Sequence, residues 1–150
     1  MTVSGVRVHV DIDATPERIW EVVEPVENHV EWMSDAVAIR FLGDQRRGTG
    51  TVFLCDTRIG PFSLVDEMTI TAWEPARRMG VRHTGLVTGS GDFFIEAIGD
   101  GRSRFTWEEN LEFPWWMAGP LGAFVAGKTV LRFVWRRNLR ALKRIVESGR

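Results

Sequence analysis

Two ionisable residues occupy positions where chemistry could take place. Glu109 falls in a run with Phe105, Trp107, Leu111 and Phe113, and residues two apart along a strand share a face. If that face is concave, Glu109 is a carboxylate inside an apolar cavity. Desolvation would raise its pKa and suit it to act as a general acid or base. The competing reading pairs it with an arginine or turns it outward at a bulge, because buried carboxylates are usually paired. His83 follows a similar pattern, alternating with Met79 and Val81 against Gly80 and Arg82. An inward, neutral imidazole there could polarise a carbonyl or hold a hydroxyl. The alternatives are a satisfied core histidine and a position on the rim. Asp66 shares a face with Met68 and Ile70, but it lies near the start of its strand, which favours solvation.

Other chemistries find less support. His9, Asp11 and Asp13 share a strand face opposite a row of valines, which is a wet position, and His29 is isolated. No two histidines have ligand spacing, so no metal and no cofactor is expected. Cys55 lies in an apolar strand, and no nucleophile–base dyad can be read from the spacing. Gly85, Gly89 and Gly91 are followed by neither a lysine nor a helix start, so they do not form a phosphate loop. They suit a bend or bulge in a strongly curved sheet.

The elements that must position these groups follow from punctuation and periodicity. Residues 3–12 alternate, with Val6, Val8 and Val10 on one face and Arg7, His9 and Asp11 on the other, which predicts a half-buried strand. Thr15 can cap a helix, Pro16 suits its first position and Glu17 complements its dipole. Pro25 breaks that helix, and 26–33 reads as a second short one with Val30 and Met33 inward. Six strands are expected over 36–41, 50–57, 62–73, 78–84, 87–98 and 102–113, joined by turns such as Gly99-Asp100-Gly101. Sequential hairpins imply an antiparallel meander. A last helix is predicted from Gly119-Pro120 to about Ser148, with Leu131, Val134, Trp135, Leu139, Leu142, Ile145 and Val146 at helical spacing. At about 1.5 Å per residue it would be roughly 40 Å long, comparable with the diameter of the whole domain. Only a large concave sheet can cover its apolar stripe. Before it comes Phe113-Pro114-Trp115-Trp116-Met117, where two adjacent tryptophans cannot easily both face the core. One either lines a cavity mouth or staples onto the helix start. Arg132, Arg136 and Arg140 form an i, i+4 stripe that reads as a solvated face rather than a lipid or phosphate site.

Composition sets the outer bounds. The chain has 150 residues, 44% hydrophobic and 26% charged, which fits one globular domain over 1–150 with a sizeable core. The net charge of -1 provides no field for nucleic acid. The longest uncharged stretch, 113–127, is shorter than the ~20 residues of a spanning helix and is interrupted by Pro114, Gly119, Pro120 and Gly122, so membrane contact is not expected. The single cysteine, Cys55, permits no intramolecular disulfide, and no signal peptide is evident, so a cytoplasmic monomer or homodimer is expected. The 7 tryptophans and absence of tyrosine give large apolar surfaces with few hydroxyls.

The order of elements resembles the helix-grip fold of the START-like (SRPBCC) superfamily, which includes polyketide cyclases/dehydrases. Ile12-Asp13-Ala14-Thr15-Pro16-Glu17-Arg18-Ile19-Trp20 resembles that family's entry into its first helix. Trp32-Met33 resembles the end of its second. Trp73-Glu74-Pro75-Ala76-Arg77-Arg78-Met79 resembles its strand turn, and 113–122 with the following Arg/Leu-rich helix resembles its C-terminal third. The resemblance implies an α+β architecture, a curved antiparallel sheet of about seven strands around a long C-terminal helix. It also implies an internal cavity for an apolar small-molecule ligand of polyketide, lipid or isoprenoid type. The expected lining is Met68, Ile70, Val81, Phe105, Trp107, Leu111, Trp115, Trp116, Phe124 and Trp135. An acid–base enzyme of the polyketide cyclase/dehydrase kind is a second reading, with Glu109 as base and His83 orienting a carbonyl. A co-chaperone-like interaction module is a third. A cavity of several hundred Å³ separates the first two from the last.

Overall fold

The computed structural model describes residues 2–117, 119 and 128–149. Seven strands form one antiparallel sheet: β1 (Thr2–Ile12), β2 (Ala36–Leu42), β3 (Val52–Ile59), β4 (Phe62–Glu74), β5 (Arg78–Thr84), β6 (Thr88–Gly99) and β7 (Arg102–Glu112). Their spatial order is β1-β7-β6-β5-β4-β3-β2. Strands β2 to β7 are thus a pure meander, and β1 returns to pair with β7. Turn chemistry explains the hairpins. Gly99, Asp100 and Gly101 all take positive φ between β6 and β7, the left-handed backbone that glycine adopts without strain. The register shifts between Val3 and Val6, Ala36 and Ala38, Ile70 and Ala72, and Ala97 and Gly99. Such irregularities add local twist and bend, which curls the sheet around its contents.

Helix α1 (Pro16–Val23) starts as its sequence dictates. The Thr15 hydroxyl accepts the Arg18 backbone N–H at 3.2 Å, and Pro16 occupies the first turn. Ile19, Trp20 and Val23 face the core. The following segment is a 3₁₀ helix, Val26–Glu31, that buries Val26 and His29. Val30, expected to point inward, lies on its exposed side, because the tighter 3₁₀ turn changes which residues share a face.

Helix α2 (Thr129–Glu147) buries Leu131, Trp135, Asn138, Leu139, Leu142 and Val146 along one stripe and packs on β1. It has 19 residues, about 28 Å at 1.5 Å per residue; the upstream part of the expected helix, 120–127, lies outside the described residues. Lys128 stands at its N-cap with φ 57°, in the left-handed region. Four side chains tie α2 and its N-cap to β1 and to the segments beside the sheet. Asn138 Oδ1 accepts the Ser34 N–H and hydroxyl, each at 2.9 Å, while its Nδ2 donates to Asp35 at 2.6 Å. The Lys143 ammonium donates to the Asp11 carbonyl at 2.8 Å, and Glu147 accepts the Asp13 N–H at 2.7 Å. Lys128 Nζ donates to the Ser4 carbonyl. Among the described residues, no helix is long and apolar enough to cross a membrane.

Candidate functional site

A cavity of about 120 Å³ lies between the concave face of the sheet, α2 and the 3₁₀ segment. Its wall is mostly hydrocarbon and aromatic ring, with Trp107 and Trp135 stacked at 5.0 Å between centroids. The volume is below the several hundred Å³ of drug-sized sites. It approaches the roughly 150 Å³ of a dry apolar cavity that holds one aromatic ring.

One part of this wall is ionic. His83 Nδ1 lies 2.6 Å from Asp66 Oδ2, and His83 Nε2 lies 3.0 Å from Glu109 Oε2. The Trp107 indole N–H donates to Glu109 Oε1 at 3.1 Å. All three ionisable groups are at least 93% buried, with exposures of 7%, 6% and 7% for Asp66, His83 and Glu109. Burial by itself pulls the imidazole pKa down, but hydrogen bonds to Asp66 and Glu109 and the field of both carboxylates outweigh it, pushing it up to about 10. His83 is therefore an imidazolium at neutral pH, with both N–H groups donated to carboxylates.

The sheet register explains how groups on three strands meet. Val81, Gly91 and Glu109 lie abreast on β5, β6 and β7, as do His83, Gly89 and Leu111. Glu109 and His83 are thus diagonal partners separated by a whole strand. They touch because that strand carries glycine between them. A Cβ on Gly91 would fall 2.5 Å from Glu109 Oε1. Gly89, at φ +125°, has its Cβ position 1.9 Å from the Asn110 carbonyl oxygen. The glycine-rich run 84–91 therefore clears space for an ionic contact as well as bending the strand. Asp66 enters from β4, where Met68 is the direct partner of His83.

The cavity brings together Met68, Val81, Trp107, Leu111, Trp135, His83 and Glu109 from the residues read in the sequence. Ile70 and Phe105 are fully buried but do not line it. Phe105 is covered by Phe93 at 5.2 Å and Trp32 at 6.2 Å between ring centroids. Trp115 and Trp116 are 83% and 58% exposed and lie outside the lining, in a short 3₁₀ turn, Trp115–Met117. Phe124 falls outside the described residues.

Three expectations are corrected. Asp66 is not solvated, because β4 is 13 residues long and Asp66 is flanked by Cys55 on β3, well inside the sheet. The His83 imidazole is charged rather than neutral, and Glu109 pairs with it rather than with an arginine.

Sequence reasoning missed several wall groups. His29 donates Nε2–H to the Val23 carbonyl at 2.7 Å, and burial pushes its pKa down to about 4, so the ring is neutral. Burial also raises the Asp35 carboxyl above its ordinary range, against hydrogen bonds from Asn138, its own backbone and Trp135. Asp92 pairs with Arg78 at 2.8 Å. The alternation of 79–83 could have flagged the facing residues of β6, but the short 3₁₀ segment that delivers His29 has no periodic signal. Burial pushes the Cys55 thiol up to about 11, so it stays protonated and is a poor nucleophile. Among the described residues, no group of three or more His, Cys, Asp or Glu side chains is placed to hold a metal ion.

Comparison with known proteins agrees with this geometry. Residues 5–147 match the family described as polyketide cyclase/dehydrase and lipid transport. An uncharacterized protein of Mycobacterium tuberculosis is 27% identical over 145 residues, covering 93% of this chain and 82% of the relative. The Zhui aromatase/cyclase of Streptomyces sp. R1128 superposes with a TM-score of 0.78 at 16% identity, over 98% of this chain and 94% of that one. A START superfamily protein from Mycobacterium smegmatis gives a TM-score of 0.76 at 18% identity, over 99% and 100%. At these identities the two structures establish a shared helix-grip fold.

Proposed function

Because the chain belongs to the polyketide cyclase/dehydrase and lipid transport family, we propose that it binds a hydrophobic or aromatic small molecule in its internal cavity. The observation that carries this reading is the apolar void under α2, walled by the Trp107–Trp135 stack and bordered by a few convergent polar groups. Ligand sites have this composition. At about 120 Å³ the void lies below the several hundred Å³ expected for binding or catalysis and above the filled interior expected of a protein-interaction module, and its apolar wall is what favours binding. The single cysteine, held as a thiol, suits a cytoplasmic setting. Native mass spectrometry of the purified protein tests the reading. The expected result is an apolar adduct, or saturable binding of an added aromatic compound that quenches Trp107 and Trp135. Neither adduct nor saturable binding across a panel of aromatic and lipid compounds would refute it.

A second reading makes the same wall catalytic. Its support is the buried row Asp66–His83–Glu109, whose imidazole is held far above its ordinary pKa, as groups at functional sites often are. A substrate oxygen entering between His83 and Glu109 would meet an N–H donor and a carboxylate base at one point, as a cyclisation or dehydration requires. Glu109 and His83 are then the catalytic residues, and Asp66 positions the imidazole. Unchanged turnover of an identified substrate by Glu109→Gln would remove this role.

A further inference from the structure

The cavity wall is unbalanced in hydrogen-bonding capacity. Asp66 Oδ1 is buried and has no partner among the described residues, although Asp66 lines the cavity and its other oxygen is held by His83. The neutral His29 ring, which donates through Nε2 to Val23, keeps an acceptor lone pair on Nδ1. The imidazolium and indole donors of the lining are already used, and the unpartnered Trp32 indole N–H lies outside it. Both N–H groups of His83 go to carboxylates, the Trp107 indole goes to Glu109, and the Trp135 indole goes to Asp35. No lysine or arginine is among the described lining residues. A buried acceptor left unpaired is costly, and a ligand group that satisfies it gains what the folded protein forgoes.

We propose that the cavity selects a ring-sized molecule bearing an O–H or N–H donor and no negative charge, a phenol or an aromatic amine, anchored on Asp66 Oδ1. The inference rests on the cavity being a ligand site. It narrows the ligand by charge and by hydrogen-bond sense: carboxylated or phosphorylated compounds meet only acceptors there, and purely hydrocarbon rings leave Asp66 unsatisfied. Glu109, whose two oxygens each already accept a bond, is the less available anchor.

The test is a comparison of dissociation constants of the intact protein for phenol, toluene and benzoate at neutral pH, by calorimetry or ligand-observed NMR. A hydrogen bond to a charged acceptor predicts phenol binding roughly 10- to 100-fold tighter than toluene, with benzoate weakest. Asp66→Asn turns the anchor from acceptor to donor, so phenol should fall to the level of toluene while acetophenone, a ring with an acceptor, gains. Equal affinity for phenol and toluene, or benzoate as the tightest probe, overturns the inference and leaves the ligand-binding reading standing. If no probe binds saturably the inference also falls, and a co-purified apolar adduct in native mass spectrometry then tells whether the broader reading falls with it. Should Asp66→Asn fail to fold, the ranking of the three probes on the unaltered protein still decides.

Discussion

Raising the pH should loosen this protein through His83. In the folded chain its pKa is about 10, against an ordinary value of 6.5, so the native state holds the proton more tightly than the unfolded one. The associated stabilisation is complete below pH 6.5, declines between 6.5 and about 10, and is gone above that. Each pH unit across that window corresponds to about 1.4 kcal/mol for one proton. The full loss is then on the order of a few kcal/mol, a large share of the roughly 5–15 kcal/mol that holds a typical domain together. Urea unfolding followed by tryptophan fluorescence, at half-unit steps from pH 6 to 9.5, should show a midpoint that falls steadily. NMR of the His83 ring should show an imidazolium persisting past pH 8.5. A flat unfolding midpoint, or a ring titrating near 6.5, would refute the assignment of His83 as a charge shared between Asp66 and Glu109.

His29 should act in the opposite direction. Its folded pKa of about 4 lies below 6.5, so its contribution is intact above pH 6.5 and is lost as pH falls toward 4, which acid unfolding of the protein against a His29→Phe variant would reveal as a flatter slope in the variant. Gly91→Ala places a methyl 2.5 Å from Glu109 Oε1. The carboxylate must move, and a loss of about 1–3 kcal/mol in urea unfolding should accompany a fall in the His83 pKa read by NMR; an unchanged pKa would argue that the glycine gap is not needed. Asn138→Ala strips partners from Ser34 and Asp35 at once. A drop of about 2–4 kcal/mol is expected from the buried groups left unpaired, measured as a lower thermal midpoint, and a neutral effect would show that water replaces the amide.

The elements were legible because they are periodic and punctuated. Alternation marked all seven strands to within about two residues, and Thr15-Pro16 marked α1. The spacing of Leu131, Trp135, Leu139, Leu142 and Val146 marked the long helix, but the left-handed backbone of Lys128 leaves no trace in residue type. Within the site, period two put Glu109 and His83 on inward faces, but it says nothing about which strands are neighbours or how they align. Contact between β5 and β7 side chains needs two registers and a bare position on β6 at once, and no single run of sequence contains that information. Asp66 was misread for a related reason. Nearness to a strand start suggests water only if the strand stands at an edge, and β4 is enclosed by β3 and β5. Trp115 and Trp116 were drawn toward the cavity by hydrophobicity alone, which is a poor guide, since much of any folded surface is apolar.

The bare backbone at Gly89 and Gly91 also bears on how the strands find their alignment during folding. Sliding β6 by one residue against its neighbours would turn the glycines away and interpose a side chain such as Ser90 or Asp92. Sliding it by two would set the Phe93 ring where Gly91 belongs in one direction, and Val87 where Gly89 belongs in the other. Either error keeps imidazolium and carboxylate apart, stranding charges in hydrocarbon, a far heavier penalty than a misplaced apolar side chain. The ionic row thus proofreads the assembly of the sheet, rejecting offsets that hydrophobic burial alone would tolerate.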